Sequence, residues 1–142
     1  MPRRKKPKNI QEDGDLAKQI RKFARGLYYT SETDAKISLF VGKKAQAVTK
    51  EVLLSQTAKS DDVPVEERDF EEFFSPLTKT QDWFGDEEKQ ATQKFSDLKV
   101  LLEKNLKDLK VFKIGQIELD IYIVGLDEKS ILTGIKTKAV ET

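Results

Sequence analysis

The sequence predicts an α+β fold in which helices pack on a largely antiparallel sheet. Two observations carry this prediction. Apolar residues recur at helical spacing near the N-terminus and again before residue 110, whereas extended apolar runs separated by single glycines fill residues 111–140. The chain has 142 residues, of which 37% are hydrophobic, which is enough for one core. We therefore predict a single domain over residues 15–142.

The N-terminal region divides into a tail and a helix. Residues 1–14 begin with five Lys or Arg and two Pro in the first eight positions and lack apolar periodicity, which predicts a basic disordered tail. The first helix is predicted from Asp15, with Gly26 near its end as a stop signal. Its apolar face is formed by residues spaced by four, three and four: Leu16, Ile20, Phe23 and Leu27.

The next region predicts a strand and a short helix. Ala35–Val41 alternates as a strand that is covered mainly on one face, and Gly42 is expected to end it. Thr49 can cap a short helix that extends to Gln56. Residues 60–64 then form a predicted polar loop that leads into a short extended segment.

Two further helices are predicted in the middle of the chain. The first is short and ends close to Pro76, and its apolar face comprises Phe70, Phe73, Phe74 and Leu77. The second is the longest, and three acids at 86–88 favour its N-terminus. Its predicted apolar stripe comprises Phe95, Leu98, Leu101, Leu102, Leu106 and Leu109.

The C-terminal region predicts three strands, over Val111–Ile114, Gln116–Val124 and Ser130–Val140. The last two are joined by a short turn, which favours an antiparallel hairpin. The single glycines at 115, 125 and 134 are interpreted as turns or bulges, because none belongs to a phosphate-binding motif.

The composition excludes several classes of enzyme. The sequence contains no Cys and no His, so cysteine nucleophiles, thiolate metal sites and histidine-dependent hydrolysis are excluded. We predict a protein that is not an enzyme and that needs no cofactor or metal of its own. Chemistry based on paired carboxylates with Mg²⁺, on a lysine Schiff base or on tyrosine stays open from the composition. The absence of Cys, of a long apolar run and of a signal peptide pattern predicts a cytoplasmic protein.

The charges are unevenly distributed. Residues 1–25 hold nine bases against three acids, which leaves 17 bases against 22 acids in the remainder. Residues 61–88 alone hold eleven acids, interleaved with Phe70, Phe73, Phe74, Trp83 and Phe84. Such a surface can imitate nucleic acid toward a basic groove. The alternative is a solvated helix face above core phenylalanines, whereas Trp83 lies in a polar loop and is a candidate interface anchor.

Four segments resemble the nuclease A inhibitor family, the NuiA-like proteins: GLYYTSE at 26–32, QDWFGDEE at 81–88, IGQIELDIYIVG at 114–125 and GIKTKAVET at 134–142. The resemblance extends from about Asp15 to Thr142. The basic tail looks like an addition, and residues 42–48 depart from the family pattern.

The resemblance implies an α/β/α sandwich and inhibition of a sugar-nonspecific, Mg²⁺-dependent endonuclease in a 1:1 complex, by a protein that is monomeric alone. It also implies three partner-binding residues, Glu32, Trp83 and Thr142. Thr142 would bring oxygen ligands to the nuclease's Mg²⁺, Glu32 would place a negative charge where a substrate phosphate sits, and Trp83 would pack at the edge.

Other interpretations remain open from the residues alone. Thr142 can be a frayed terminus, Glu32 a helix or loop cap and Trp83 a core residue. The protein can also be an interaction domain of the same fold without inhibitory activity, or a nucleic-acid-binding module that acts through its basic tail.

Overall fold

A computed structural model describes residues 14–60 and 62–142. The predicted basic tail lies outside the described residues, apart from Gly14, which precedes the first helix. The elements are α1 (Asp15–Ala24), β1 (Tyr28–Thr30), β2 (Asp34–Lys36), β3 (Ser38–Lys44), α2 (Lys50–Gln56), β4 (Val65–Arg68), α3 (Phe70–Thr78), α4 (Asp86–Asn105), β5 (Lys107–Gly115), β6 (Glu118–Leu126) and β7 (Ile131–Val140).

Five strands form the main sheet in the order β3-β7-β6-β5-β4, and every neighbouring pair is antiparallel. The predicted C-terminal hairpin is therefore confirmed, with Ile123 of β6 opposite Ile135 of β7. Strands β1 and β2 form a separate two-stranded sheet. The α+β class with a largely antiparallel sheet is confirmed.

Helices cover both faces of the main sheet. On one face, α1, α3 and α4 pack with sheet residues that include Ile121 and Ile123. On the other face, Leu53 and Leu54 of α2 pack with a second set, which includes Val124. The alternation of β6 thus supplies two cores, and the arrangement is an α/β/α sandwich. None of the helices in the described part of the chain has the length and hydropathy that a membrane crossing requires.

Local hydrogen bonds fix the N-termini of α2, α3 and α4, and those of α2 and α4 lie where the sequence predicts them. The Thr49 side chain accepts a hydrogen bond from the Val52 amide, and Asp69 accepts one from Glu72 at the start of α3. Gly85 precedes α4, where its amide donates to the Glu88 side chain at 2.9 Å. These contacts satisfy amides that have no partner inside their helices.

The predicted apolar stripe of the longest helix is wrong at its C-terminal end. Helix α4 stops at Asn105, and Leu109 lies in β5 while packing against the same core. A spacing of three residues fits both a helix face and the approach of a strand to that core. The pattern alone does not separate them.

The predicted end of a strand at Gly42 is also wrong. Strand β3 continues to Lys44 through a register shift after Val41. The Gln56 side chain compensates for the shift, because its Oε1 accepts from the Lys43 amide at 2.7 Å and its Nε2 donates to the Lys43 carbonyl at 3.2 Å. A Cβ at Gly42 would collide with Gln56 Oε1, so glycine here permits a bulge.

The interpretation of glycines as turns or bulges holds for Gly115 but not for Gly134. Gly115 has φ +120° and begins the turn between β5 and β6. Gly134 lies inside β7 and pairs with Val124, where a Cβ would collide with the carbonyl oxygen of Ile123. Gly125 likewise lies inside β6, opposite the irregular start of β5. Close backbone approach explains both of these strand glycines.

Candidate functional site

A hairpin that the sequence analysis missed places Glu32. Strands β1 and β2 flank a tip at residues 31–33, which docks beside the end of β7. The Glu32 amide donates to the Val140 carbonyl at 3.2 Å, and the Val140 amide donates to Ser31 Oγ at 2.9 Å. Each strand has only three residues, so it carries little alternation. The polar cluster Thr-Ser-Glu-Thr-Asp at 30–34 is the turn signal that could have revealed the hairpin.

The structure brings Glu32 into contact with Thr142. Both the amide and the hydroxyl of Thr142 donate to Glu32 Oε2, at 2.7 and 2.8 Å. The backbone hydrogen bond from Thr142, followed by that from its hydroxyl, holds the pKa of Glu32 below its ordinary value. Glu32 is therefore anionic at neutral pH. Both residues are exposed, so this polar pair lies on the surface.

The pair leaves oxygen atoms for an outside ligand. Because the Thr142 hydroxyl donates its proton to Glu32, its lone pairs remain as acceptors. Within the described ranges, no hydrogen bond engages Glu32 Oε1. A carboxylate and a hydroxyl are ligands for hard cations and acceptors for basic side chains. No group of three or more potential metal-ligating side chains occurs in residues 14–60 and 62–142.

Trp83 lies in the loop between α3 and α4 and is 74% exposed, which excludes the core alternative for this residue. Its ring meets Phe84 edge to face at a centroid distance of 4.6 Å. The Phe84 amide donates to the Gln81 carbonyl at 3.0 Å, which braces the loop. An exposed tryptophan on a braced loop has the character of an interface anchor.

The direction of α4 places Trp83 at the same end of the sandwich as Thr142. One cavity is lined by both Asn105, at the end of α4, and Ile131, at the start of β7. Helix α4 has 20 residues and spans about 30 Å. Lys94, in the N-terminal half of the helix, lies near Gly26, which leads into the hairpin that docks beside the end of β7. The first turn of α4 therefore lies toward the end of the sheet where β7 finishes. Among the described contacts, none joins Trp83 directly to Glu32 or Thr142.

The phenylalanines of the acidic segment are core residues. Phe70, Phe73 and Phe74 of α3 are buried, so the interpretation of a solvated helix face above core phenylalanines is confirmed for these residues, and the alternative with their rings on the acidic surface is excluded. Their spacing of three and four residues reflects packing on the sheet. Glu71 of this helix is paired with Lys99 of α4 at 2.9 Å. Exposed acids remain around the Trp83 loop: Asp82, Asp86, Glu87 and Glu88.

A family model described as "Nuclease A inhibitor-like protein" matches residues 14–142, which is nearly the whole chain. The match includes all three candidate residues and every element of the fold. No curated protein matches the chain.

Proposed function

The chain belongs to the nuclease A inhibitor-like protein family, and we propose that it inhibits a Mg²⁺-dependent, sugar-nonspecific endonuclease by covering its active site. The observation that carries this proposal is the contact between Glu32 and Thr142, which are 110 residues apart in sequence and joined by two hydrogen bonds. The family match supports the class of partner, and this contact supports the place where the partner binds.

The proposed mechanism uses the polar pair as a substitute for substrate oxygens. The Thr142 hydroxyl is held by Glu32, so its lone pairs are offered to the nuclease's Mg²⁺, which keeps exchangeable waters. The Glu32 carboxylate supplies negative charge where a substrate phosphate would sit. This chain offers no phosphodiester bond at that position, so the site is occupied without turnover.

Trp83 and its neighbouring acids extend the proposed contact. Trp83 offers a large exposed ring to a partner pocket, while Asp82, Asp86 and Glu87 are charged opposite to the basic groove of a nuclease. Complementary charge speeds association and favours the correct orientation. We expect one inhibitor molecule to bind one nuclease.

The test is plasmid degradation by sugar-nonspecific, Mg²⁺-dependent nucleases in the presence of stoichiometric protein. The wild type should block degradation, whereas deletion of Thr142 and the substitution Glu32→Ala should each weaken inhibition. The matched control is Glu128→Ala, because Glu128 is an exposed glutamate in the turn before β7, at the opposite end of the sheet. It should inhibit as the wild type does.

Truncation of residues 1–8 separates inhibition from nucleic-acid binding through the basic tail. Inhibition that survives the truncation at raised salt supports active-site coverage, because contacts to phosphates weaken steeply with salt. Failure of the wild type to inhibit several such nucleases would refute the proposed function.

A further inference from the structure

The last three residues are fastened from two sides. The hairpin tip at residues 31–33 holds them on one side, through Ser31 and Glu32. The turn between β5 and β6 holds them on the other, because the Glu141 amide donates to the Ile117 carbonyl at 2.9 Å. Glu141 Oε2 also lies 3.0 Å from Lys113 Nζ in β5. Thr142 is thus preceded by a residue with two contacts of its own.

Lys113 stands out among the basic residues. In residues 14–60 and 62–142 it is the one charged side chain that is buried, with 9% exposure. A buried charge is costly unless it is paired, and Glu141 is its ion-pair partner within these ranges. Because Lys113 needs a charged partner, the ion pair holds the Glu141 side chain against the sheet. The backbone that leads to Thr142 is held with it.

Ile117 presents apolar surface beside this pair. Its side chain is 56% exposed in the two-residue turn between β5 and β6. A β-branched residue in an exposed turn gains little for the isolated fold. Its carbonyl accepts a hydrogen bond from the Glu141 amide, so the backbone at Ile117 is held beside the residue that precedes Thr142. Trp83 lies toward the same end of the sandwich, so two apolar groups accompany the polar pair.

We propose that the turn between β5 and β6 completes the nuclease-binding face. Ile117 contacts the nuclease as a second apolar anchor beside Trp83, and Lys113 with Glu141 is a positioning pair that holds Thr142 in its binding geometry before the partner arrives. This inference rests on the proposed function and adds residues to the same site. A face that is ordered before binding loses less conformational entropy when the complex forms.

The contact is tested with Ile117→Ser in a titration of nuclease activity. The matched control is Val100→Ser, because Val100 is a β-branched residue of similar exposure, 51%, on α4. Ile117→Ser should weaken inhibition about tenfold, as expected for loss of an apolar anchor, while Val100→Ser leaves it unchanged. Circular dichroism should report the same fold for both. Inhibition by Ile117→Ser equal to that of the wild type would overturn the contact.

The positioning pair is tested in the free protein, without any nuclease. Lys113→Met retains an unbranched apolar stem and removes the charge. Glu141→Gln keeps the side-chain length and removes the carboxylate. The heteronuclear ¹⁵N NOE of the backbone amides at positions 141 and 142 should fall in each variant, while the NOE of core residues such as Ile123 stays constant. Unchanged NOE values at both positions would overturn the positioning role.

The two experiments distinguish the possible failures. If the wild type inhibits and the Ile117→Ser titration is unaffected, the extended face is wrong and the proposed function stands. If the wild type inhibits no nuclease, the proposed function fails together with the contact role of Ile117. The NOE measurement would still decide whether Lys113 orders Thr142.

Discussion

Helix α3 and the loop that follows it come from one acidic, aromatic stretch of sequence, yet the structure uses them in opposite ways. In α3 the aromatic side chains are buried and the acids face outward. In the loop at 79–85 the largest aromatic ring is 74% exposed. Both segments combine acids with aromatic rings, so composition alone does not separate a core from a binding surface.

The difference arises from position relative to a hydrogen-bonded helix. Asp69 caps α3, and the phenylalanines that follow recur at three and four residues, so one face of the helix is entirely apolar. Trp83 has no such repeat around it and lies shortly before Gly85, the residue that precedes α4. A ring outside a periodic segment lacks a partner face, which leaves it available to another protein.

The largest expected effect is a loss of stability when a buried phenylalanine of α3 is removed. Phe74 is fully buried and meets the rings of Phe70 and Phe73. Phe74→Ala should lower the free energy of unfolding by about 3–5 kcal/mol, because it removes apolar burial and leaves a cavity. Urea denaturation followed by circular dichroism measures this. A loss below about 1 kcal/mol would mean that α3 is not part of the core.

Removal of the Trp83 side chain should affect nuclease inhibition and leave stability almost unchanged. Trp83→Ala should change the free energy of unfolding by less than about 0.5 kcal/mol, as surface substitutions usually do. It should weaken nuclease inhibition by about 2 kcal/mol, as the loss of an interface anchor does. The control is Val100→Ala, which removes another exposed apolar side chain. Destabilisation with unchanged inhibition would reverse the assignment of the two aromatic groups.

The residue patterns predicted the main helices and strands better than the bulge in β3 and the hairpin of β1 and β2. The spacing of apolar residues is visible within a short stretch of sequence. The phenylalanines therefore predicted helix α3 correctly, and the alternation of residues 117–124 predicted strand β6. The bulge at Gly42 depends on the Gln56 side chain, which lies 13 residues after the Lys43 amide that it accepts from. The hairpin of β1 and β2 depends on β7. Long-range partners of this kind leave no periodic trace in the sequence.

The candidate site divides in the same way. The exposure of Trp83 was accessible from the sequence, because the residue lies between a predicted loop and a helix start. The identities of Glu32 and Thr142 came from family resemblance. Their hydrogen bonds join residues 110 positions apart, and no local pattern predicts such a pair. Lys113 was not predicted at all, since a lysine inside a strand carries no signal that it is buried.

The same contrast between a structural residue and a binding residue applies to two carboxylates, Asp69 and Glu32. Both accept a hydrogen bond from a backbone amide, but Asp69 caps a helix and Glu32 belongs to the candidate site. Asp69 accepts from Glu72 at 3.0 Å inside the acidic segment. Asp69→Ala should lower the free energy of unfolding by about 1 kcal/mol, the usual cost of losing a helix cap, and should leave inhibition unchanged. Asp69→Asn, which can still accept the amide, should recover most of the loss. Denaturation and nuclease titration of both variants provide the measurement.

Ionisation of Glu32 should make the smallest contribution to stability among these residues, and that contribution should depend on pH. Thr142 lowers the pKa of Glu32, first through its amide and then through its hydroxyl. A carboxyl whose pKa is depressed by folding contributes stability above its unfolded pKa, and this contribution is lost as the pH falls through the folded pKa. The Glu32 side-chain NMR signals should therefore titrate at lower pH in the wild type than in a chain lacking Thr142. The Thr142 amide shift should follow the same transition and lose it in Glu32→Gln. Equal titration of Glu32 with and without Thr142 would mean that the two residues do not form the pair in solution, and Glu32 would then resemble Asp69 only in charge.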